Sequence, residues 1–273
     1  MPREVVAFVG LGEMGLPMAC RLVDAGYGVV GYDTNAGRTN AAASAGVSIV
    51  GSSAEAAAAA DHAVVVLVRT EPQVEAVVAE LVADGRRGLE VVVMSTVDPT
   101  AIERLAGRAA EAGIVLVDAP VSGGRVGAEE GTLAVMAAGP RATVERLRPL
   151  LSVFGANVFD LGEIPGGGQA AKLANQTMMA VAMAGTAEGF ALARRYGLDE
   201  EQVARVVSAS TGASWVLAHW DWMRSLWEEY VPGNGIDILD KDIRALLLEA
   251  ERRGLDLPLV RASYPRLLEL WGR

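Results

Sequence analysis

Gly10-Leu11-Gly12-Glu13-Met14-Gly15 stands between an apolar run, Val5–Gly10, and a helical stretch, Glu13–Ala25. Glycines at this spacing give a tight turn, a bare backbone for a pyrophosphate to approach, and close packing of helix on strand. The helix N-terminus then attracts the phosphates. Asp33 ends the next apolar run, 18 residues past Gly15. An acid there accepts hydrogen bonds from an adenosine ribose and repels a 2′-phosphate, which favours NAD over NADP. Arg38 lies close enough in sequence to soften that discrimination, so NADP stays admissible.

A second constellation follows the apolar run Ile114–Val117. In Asp118-Ala-Pro-Val-Ser122-Gly123-Gly124 a hydroxyl and bare backbone N–H groups occur together, an arrangement suited to holding a carboxylate. A third is Lys172, Asn175 and Gln176, which share one helical face at i, i+3 and i+4. Their neighbours Ala170, Ala171, Leu173 and Ala174 do not make a solvated face, so a cation beside two amides reads as a site. Only two of the 24 basic residues, Lys172 and Lys241, are lysine. Those two positions select a compact ammonium over a guanidinium.

These groups need elements to position them. Strands are expected at Val5–Gly10, Val29–Tyr32, Ala63–Val68, Val91–Met94 and Ile114–Val117. Helices are expected at Glu13–Ala25, Ser53–Ala60 (with Ser53 as N-cap), Pro72–Val82 and Thr100–Glu111. Alternation of this kind predicts an α/β fold with a doubly wound parallel sheet. Thr132–Ala138, Ala142–Leu150 and Asn157–Asp160 are expected to extend that sheet. Beyond Pro165-Gly166-Gly167-Gly168 the pattern is all-α. It begins with one long helix, Gln169–Tyr196, followed by Glu200–Ser210, Trp215–Trp227, Leu239–Arg253 and Pro258–Trp271. The domains are therefore read as 1–164 and 165–273. Cys20, with Leu16 and Val23, reads as the packing stripe of the first helix. The five tryptophans all follow residue 214 and read as core or subunit contacts, with Trp215, His219 and Trp222 also candidates for a substrate mouth.

Composition narrows the function classes. The net charge of −10 argues against nucleic acid or an anionic membrane as partner. One cysteine and two histidines leave little for a metal centre. The longest uncharged stretch, Thr39–Ala54, is too short and too weakly apolar to span a bilayer. The expectation is a cytoplasmic protein acting on a small molecule.

"GLGEMGLPMA" at Gly10–Ala19, "DAPVSGG" at Asp118–Gly124, "GTLAVMAAG" at Gly131–Gly139, "GGGQAAKLANQ" at Gly166–Gln176 and "KD" at Lys241–Asp242 together resemble the β-hydroxyacid dehydrogenase family. That family includes 3-hydroxyisobutyrate dehydrogenases and tartronate semialdehyde (2-hydroxy-3-oxopropionate) reductases. The resemblance implies a Rossmann domain, an all-α domain built on a long helix, and a homodimer or homotetramer. It implies Lys172 as catalytic lysine with Asn175 its partner, and Ser122, Gly123, Gly124 and Gln176 at the substrate. Thr96 would lie beside the nicotinamide of NAD, Lys241 at the cofactor end of the cleft, and Val68-Arg69 where many members carry Leu-Pro. Arg125 meets a second anionic group or faces solvent. Two other readings are an imine reductase, whose members usually lack the lysine, and a non-catalytic dinucleotide-binding module, which needs neither Lys172 nor the carboxylate nest.

Overall fold

The structure, a computed structural model, describes residues 4–273. The chain divides into two compact units, one running up to Lys172 and one from Leu173 to Arg273. The first is built on strands β1 Val5–Val9, β2 Gly28–Tyr32, β3 Ser48–Ile49, β4 Ala63–Val66, β5 Glu90–Val93 and β6 Val115–Asp118. They form one parallel sheet in the order β3-β2-β1-β4-β5-β6. Its central strands are buried on both faces; every residue of β4 is inaccessible, as its unbroken apolar run requires. Side chains of successive residues go to opposite faces. Phe8 joins a cluster with Met18, Leu22, Leu151 and Phe154, and meets Phe154 edge-on at 6.4 Å. Val9 joins the opposite cluster with Val66, Val74, Leu81 and Leu105. Both clusters are closed by helices: α1 Gly15–Asp24, α2 Ala36–Ser44, α3 Ser53–Ala59, α4 Glu71–Asp84 and α5 Pro99–Glu111.

Register decides what this sheet can present. Val9 pairs with Tyr32 and with Val66, Val66 with Val93, and Val93 with Asp118. The carboxyl ends of five strands therefore form one row. Gly10, Asp33, Leu67, Met94 and Ala119 are the next residues out along that edge. The chain winds away from β1 in both directions, to β2 and to β4, which makes β1/β4 the switch point where such sheets bind ligands.

Several local expectations are corrected. The strands after β6 do not extend the parallel sheet. β7 Val121–Ser122, β8 Ala134–Ala137 and β9 Asn157–Asp160 make a separate sheet, β8 antiparallel to β7 and parallel to β9. Pro120 has no N–H to continue the ladder beyond Ala119, and the chain turns into the second sheet there. An antiparallel bridge, Asp118 to Ala138, links the two sheets. Between β7 and β9 lie α6 Gly124–Glu130 and α7 Arg141–Phe154. The N-cap of α3 is Ser52, whose hydroxyl accepts from Glu55 N at 3.1 Å; Ser53 is already helical and its hydroxyl bonds Glu80. The buried stripe of α1 is Met18, Ala19 and Leu22, and Cys20 sits half-buried at its border.

The long helix α8 runs Gly167–Arg195. It is followed by α9 Glu200–Ser208, α10 Trp215–Ala218, α11 Trp220–Glu228, α12 Gly235–Arg252 and α13 Pro258–Leu270. The expected helix Trp215–Trp227 is broken at His219 (φ −120°, ψ 26°), whose ring stacks on Trp215 at 4.0 Å and whose Nδ1 contacts the Trp215 carbonyl. The helical core gathers Leu173, Met183, Phe190, Trp220, Leu246 and Trp271. Trp215 and Trp222 stay outside it, 52% and 41% exposed. Among the described residues no helix is long and apolar enough to cross a membrane, and no cluster of histidine, cysteine and acidic side chains has the makings of a metal site.

Candidate active site

The β1–α1 turn carries the glycine loop, and its three glycines answer to different constraints. Gly10 has φ +99°, and a Cβ there would stand 2.2 Å from the Leu67 carbonyl oxygen. A Cβ on Gly15 would stand 1.9 Å from the Gly10 carbonyl oxygen. Fold geometry alone demands both. Gly12 is different. A Cβ there would meet nothing closer than the Arg38 guanidinium at 3.6 Å. The bare side of Gly12 thus opens above the first turn of α1, whose N-cap Met14 has no capping side chain and whose first turn has no acid. Backbone N–H groups and helix dipole are left for an anion, and the loop fits a dinucleotide pyrophosphate. Leu11 is buried beneath the loop and Glu13 is exposed.

Asp33 secures this loop. Its Oδ2 accepts from Leu11 N and its Oδ1 from Asn35 N, both at 2.8 Å. A carboxylate has lone pairs beyond these two bonds, so ribose hydroxyls can still be held. Arg38 Nη1 lies 3.7 Å from Asp33 Oδ2, so a cation stands beside the acid, as the sequence had hinted.

At the ends of β4 and β5, Val68 N donates to Ser95 Oγ at 2.8 Å. Arg69 N and Thr70 N both donate to Gln73 Oε1, part of the capping box of α4. Thr96 is half-buried and bracketed by one side chain that the sequence reading missed: Gln169, fully buried, donates through Nε2 to Ser95 O at 3.0 Å and accepts at Oε1 from Val97 N at 3.1 Å.

Asp118 was legible as part of a motif, but not its use. Wholly buried, it accepts from Gly166 N through Oδ1 (3.0 Å) and from Gln169 N through Oδ2 (2.9 Å). It thereby caps the N-terminus of α8 across the chain. Burial pushes its pKa up to about 6, while the backbone N–H groups of Gly166, Gln169 and Gly168 pull the other way. The approach is so close that a Cβ on Gly168 would stand 2.2 Å from Met136 O and 2.8 Å from Asp118 Oδ2. Lys172 follows Gln169 by one turn and is buried, 7% exposed. Past β6, Gly123 (φ +133°) and Gly124 (φ +65°) take left-handed backbone beside the half-buried Ser122. Arg125 is 62% exposed and bound to Glu129 at 2.7 Å.

In the helical unit, Asn175 and Gln176 meet Asp242, a residue to which the motifs alone assign no role. Asn175 Nδ2 donates to Gln176 Oε1 at 3.1 Å, and Gln176 Nε2 donates to Asp242 Oδ2 at 2.7 Å. Lys241 Nζ is in ion contact with Asp242 Oδ1 at 2.8 Å, although that oxygen receives no hydrogen bond. An open cleft of about 1130 Å3 also lies in this unit, lined by Glu200, Arg205, His219, Trp222 and Arg224 among others. None of the motif residues lines it.

Residues 5–162 match the family model for the NAD binding domain of 6-phosphogluconate dehydrogenase. Residues 166–266 match that for the NAD-binding domain of NADP-dependent 3-hydroxyisobutyrate dehydrogenase. The chain belongs to the β-hydroxyacid dehydrogenase family. It is an NAD(P)-dependent oxidoreductase. It is 37% identical to NAD-dependent L-serine dehydrogenase of Pseudomonas aeruginosa over 78% of this chain and 72% of that one. It is 33% identical to 2-(hydroxymethyl)glutarate dehydrogenase of Eubacterium barkeri over 93% and 84%. Its fold superposes on Mycobacterium tuberculosis 3-hydroxyisobutyrate dehydrogenase, solved with L-serine, with a TM-score of 0.87, 30% identity, and coverage of 98% of this chain and 94% of that one.

Proposed function

We propose that this dehydrogenase interconverts a small β-hydroxy acid and its carbonyl product, with NAD preferred and Lys172 moving the proton. The supporting observation is the burial of Lys172 one turn along a helix whose first turn is fastened to Asp118 and, through Gln169, to the segment carrying Thr96. An ammonium-bearing side chain on so firmly fastened a helix, kept from solvent, suits proton transfer better than surface solvation. The relatives' substrates share one chemistry: serine, 2-(hydroxymethyl)glutarate and 3-hydroxyisobutyrate each carry a primary alcohol on the carbon β to a carboxylate.

The bound nicotinamide supplies hydride acceptance in oxidation and hydride donation in reduction. In oxidation, neutral Lys172 takes the hydroxyl proton; in reduction its ammonium returns one to the carbonyl. Asn175 holds the hydroxyl. Ser122 and the N–H groups of Gly123 and Gly124 hold the carboxylate. Gly10–Gly15 and Asp33 bind pyrophosphate and ribose, Val68, Arg69 and Thr96 flank the nicotinamide side, and Lys241 serves the cofactor end.

We also propose that the enzyme self-associates. Leu192, Tyr196, Leu198 and Val206 are each at least half exposed, and all four border an apolar groove of about 350 Å3 at the end of α8. A homodimer or homotetramer would cover it.

Nicotinamide absorbance with 3-hydroxyisobutyrate, glycerate, 3-hydroxypropionate, serine and threonate tests the substrate class. Turnover of at least one is expected. A folded, NAD-binding protein inert toward all of them would contradict it.

A further inference from the structure

The row Asn175–Gln176–Asp242 runs across α8 and α12 with both amides and the carboxylate in contact. Amide orientation is normally ambiguous, because oxygen and nitrogen can exchange places. Here one end removes the ambiguity. Asp242 is 1% exposed, and its Oδ1 is in ion contact with Lys241 Nζ at 2.8 Å. An ionised carboxylate only accepts hydrogen bonds. Gln176 must therefore turn its NH2 toward Asp242, which leaves its oxygen toward Asn175. Asn175 must in turn give an N–H to that oxygen. Its own Oδ1 is then the atom it can offer elsewhere.

We infer that Asp242, acting through Gln176, is a positioning pair that fixes Asn175 with its carbonyl oxygen toward the substrate, so that Asn175 accepts the hydrogen bond of the substrate hydroxyl. This rests on the reading that Asn175 meets that hydroxyl. It moves Gln176 from touching substrate, as the resemblance implied, to aligning the residue that does. An amide turned the other way would offer a donor, and the hydroxyl would lose its acceptor at the moment its proton must point in a defined direction. At 3% exposure, Gln176 has both ends of its amide engaged by protein.

Gln176→Glu gives a test with a direction. Asp242 meets position 176 from α12 with Lys241 beside it, and Lys172 lies one turn back on α8. Two carboxyls in contact share a proton. When protonated, the introduced carboxyl donates to Asp242 and presents its carbonyl oxygen to Asn175, as the glutamine does. Ionised, it repels Asp242 and the chain of bonds is broken. The ratio of oxidation kcat, Gln176→Glu over wild type, should therefore be near one at about pH 6 and fall by about tenfold or more toward pH 9. A new charge acting only on Lys172 would do the reverse, favouring its ammonium and lowering the ratio most at low pH. Gln176→Met should be slow at every pH, with NAD affinity unchanged. Asp242→Asn, which lets both amides turn, should also lose kcat. A ratio that is flat or rises with pH, or Asp242→Asn at wild-type kcat, would overturn the inference. The parent reading fails separately, on whether Lys172→Ala still turns over.

Discussion

Asp33 holds the glycine loop through Leu11 N and Asn35 N. Its place was legible because it is local: it stands at the end of β2 with the glycine loop beside it. The preference for NAD is tested by kcat/KM with NAD and NADP at fixed substrate. Asp33→Ser should move the ratio toward NADP by removing like charge from the 2′-phosphate position, where Arg38 then becomes a counter-charge. Equal values in the wild type would contradict the preference. Asp118 was not readable, since its partners Gly166 and Gln169 lie 48 and 51 residues on. Its pKa is raised from 3.8 to about 6, so the folded state binds more protons than the unfolded one between those values. This group's contribution to stability is present below about pH 4 and declines as pH rises to about 6, by about 2–3 kcal/mol. Denaturant midpoints of wild type and Asp118→Asn across that range check it: the wild type's standing relative to the variant should fall with rising pH. A constant difference would refute the assignment.

The turn from β1 to α1 separates what folding needs from what the cofactor needs. Gly15→Ala places a methyl against the Gly10 carbonyl and should lower Tm markedly. Gly12→Ala meets open space apart from the flexible end of Arg38, so Tm should hold while Kd for NAD rises by about tenfold or more, since the methyl occupies the pyrophosphate's approach. Thermal melts and cofactor titration of the two variants give the comparison; matching losses of Tm would contradict the account. The same scale explains what patterning conveyed. The unbroken apolar runs of β1 and β4 and the long helical pattern of α8 announced themselves. β7 has two residues and no period to read, so the second sheet was taken for an extension of the first. The break at His219 depends on a ring stacking on Trp215 and on a contact to its carbonyl, which no periodicity records.

For the whole molecule, alternation followed by an all-α run was enough to foresee a sheet unit and a helical unit. The fastening within each unit was not, because the bonds from Gln169 to Ser95 and Val97 and from Gln176 to Asp242 span 66 to 74 residues. Motif spacing locates Lys172 and Asn175; only the folded chain reveals what holds them. The apolar groove at the end of α8 carries the assembly proposal. Light scattering should give a mass at least twice the 28.5 kDa of one chain, and Leu192→Asp with Tyr196→Asp should reduce it. A wild-type mass of one chain at working concentration would refute it.

The central claim is that Lys172 carries the proton, and turnover of Lys172→Ala beside Lys172→Arg tests it most directly. Loss of the general acid–base group should cut kcat by about 10²–10⁴ with NAD affinity little changed, since the pyrophosphate and ribose contacts lie around Gly10–Gly15 and Asp33. The arginine variant should be nearly as poor, because a guanidinium stays protonated and cannot serve as base. The ionisation in the wild-type pH profile of kcat/KM for oxidation should vanish in the alanine variant. A folded Lys172→Ala enzyme with near-native turnover, or an arginine variant that restores it, would contradict the account.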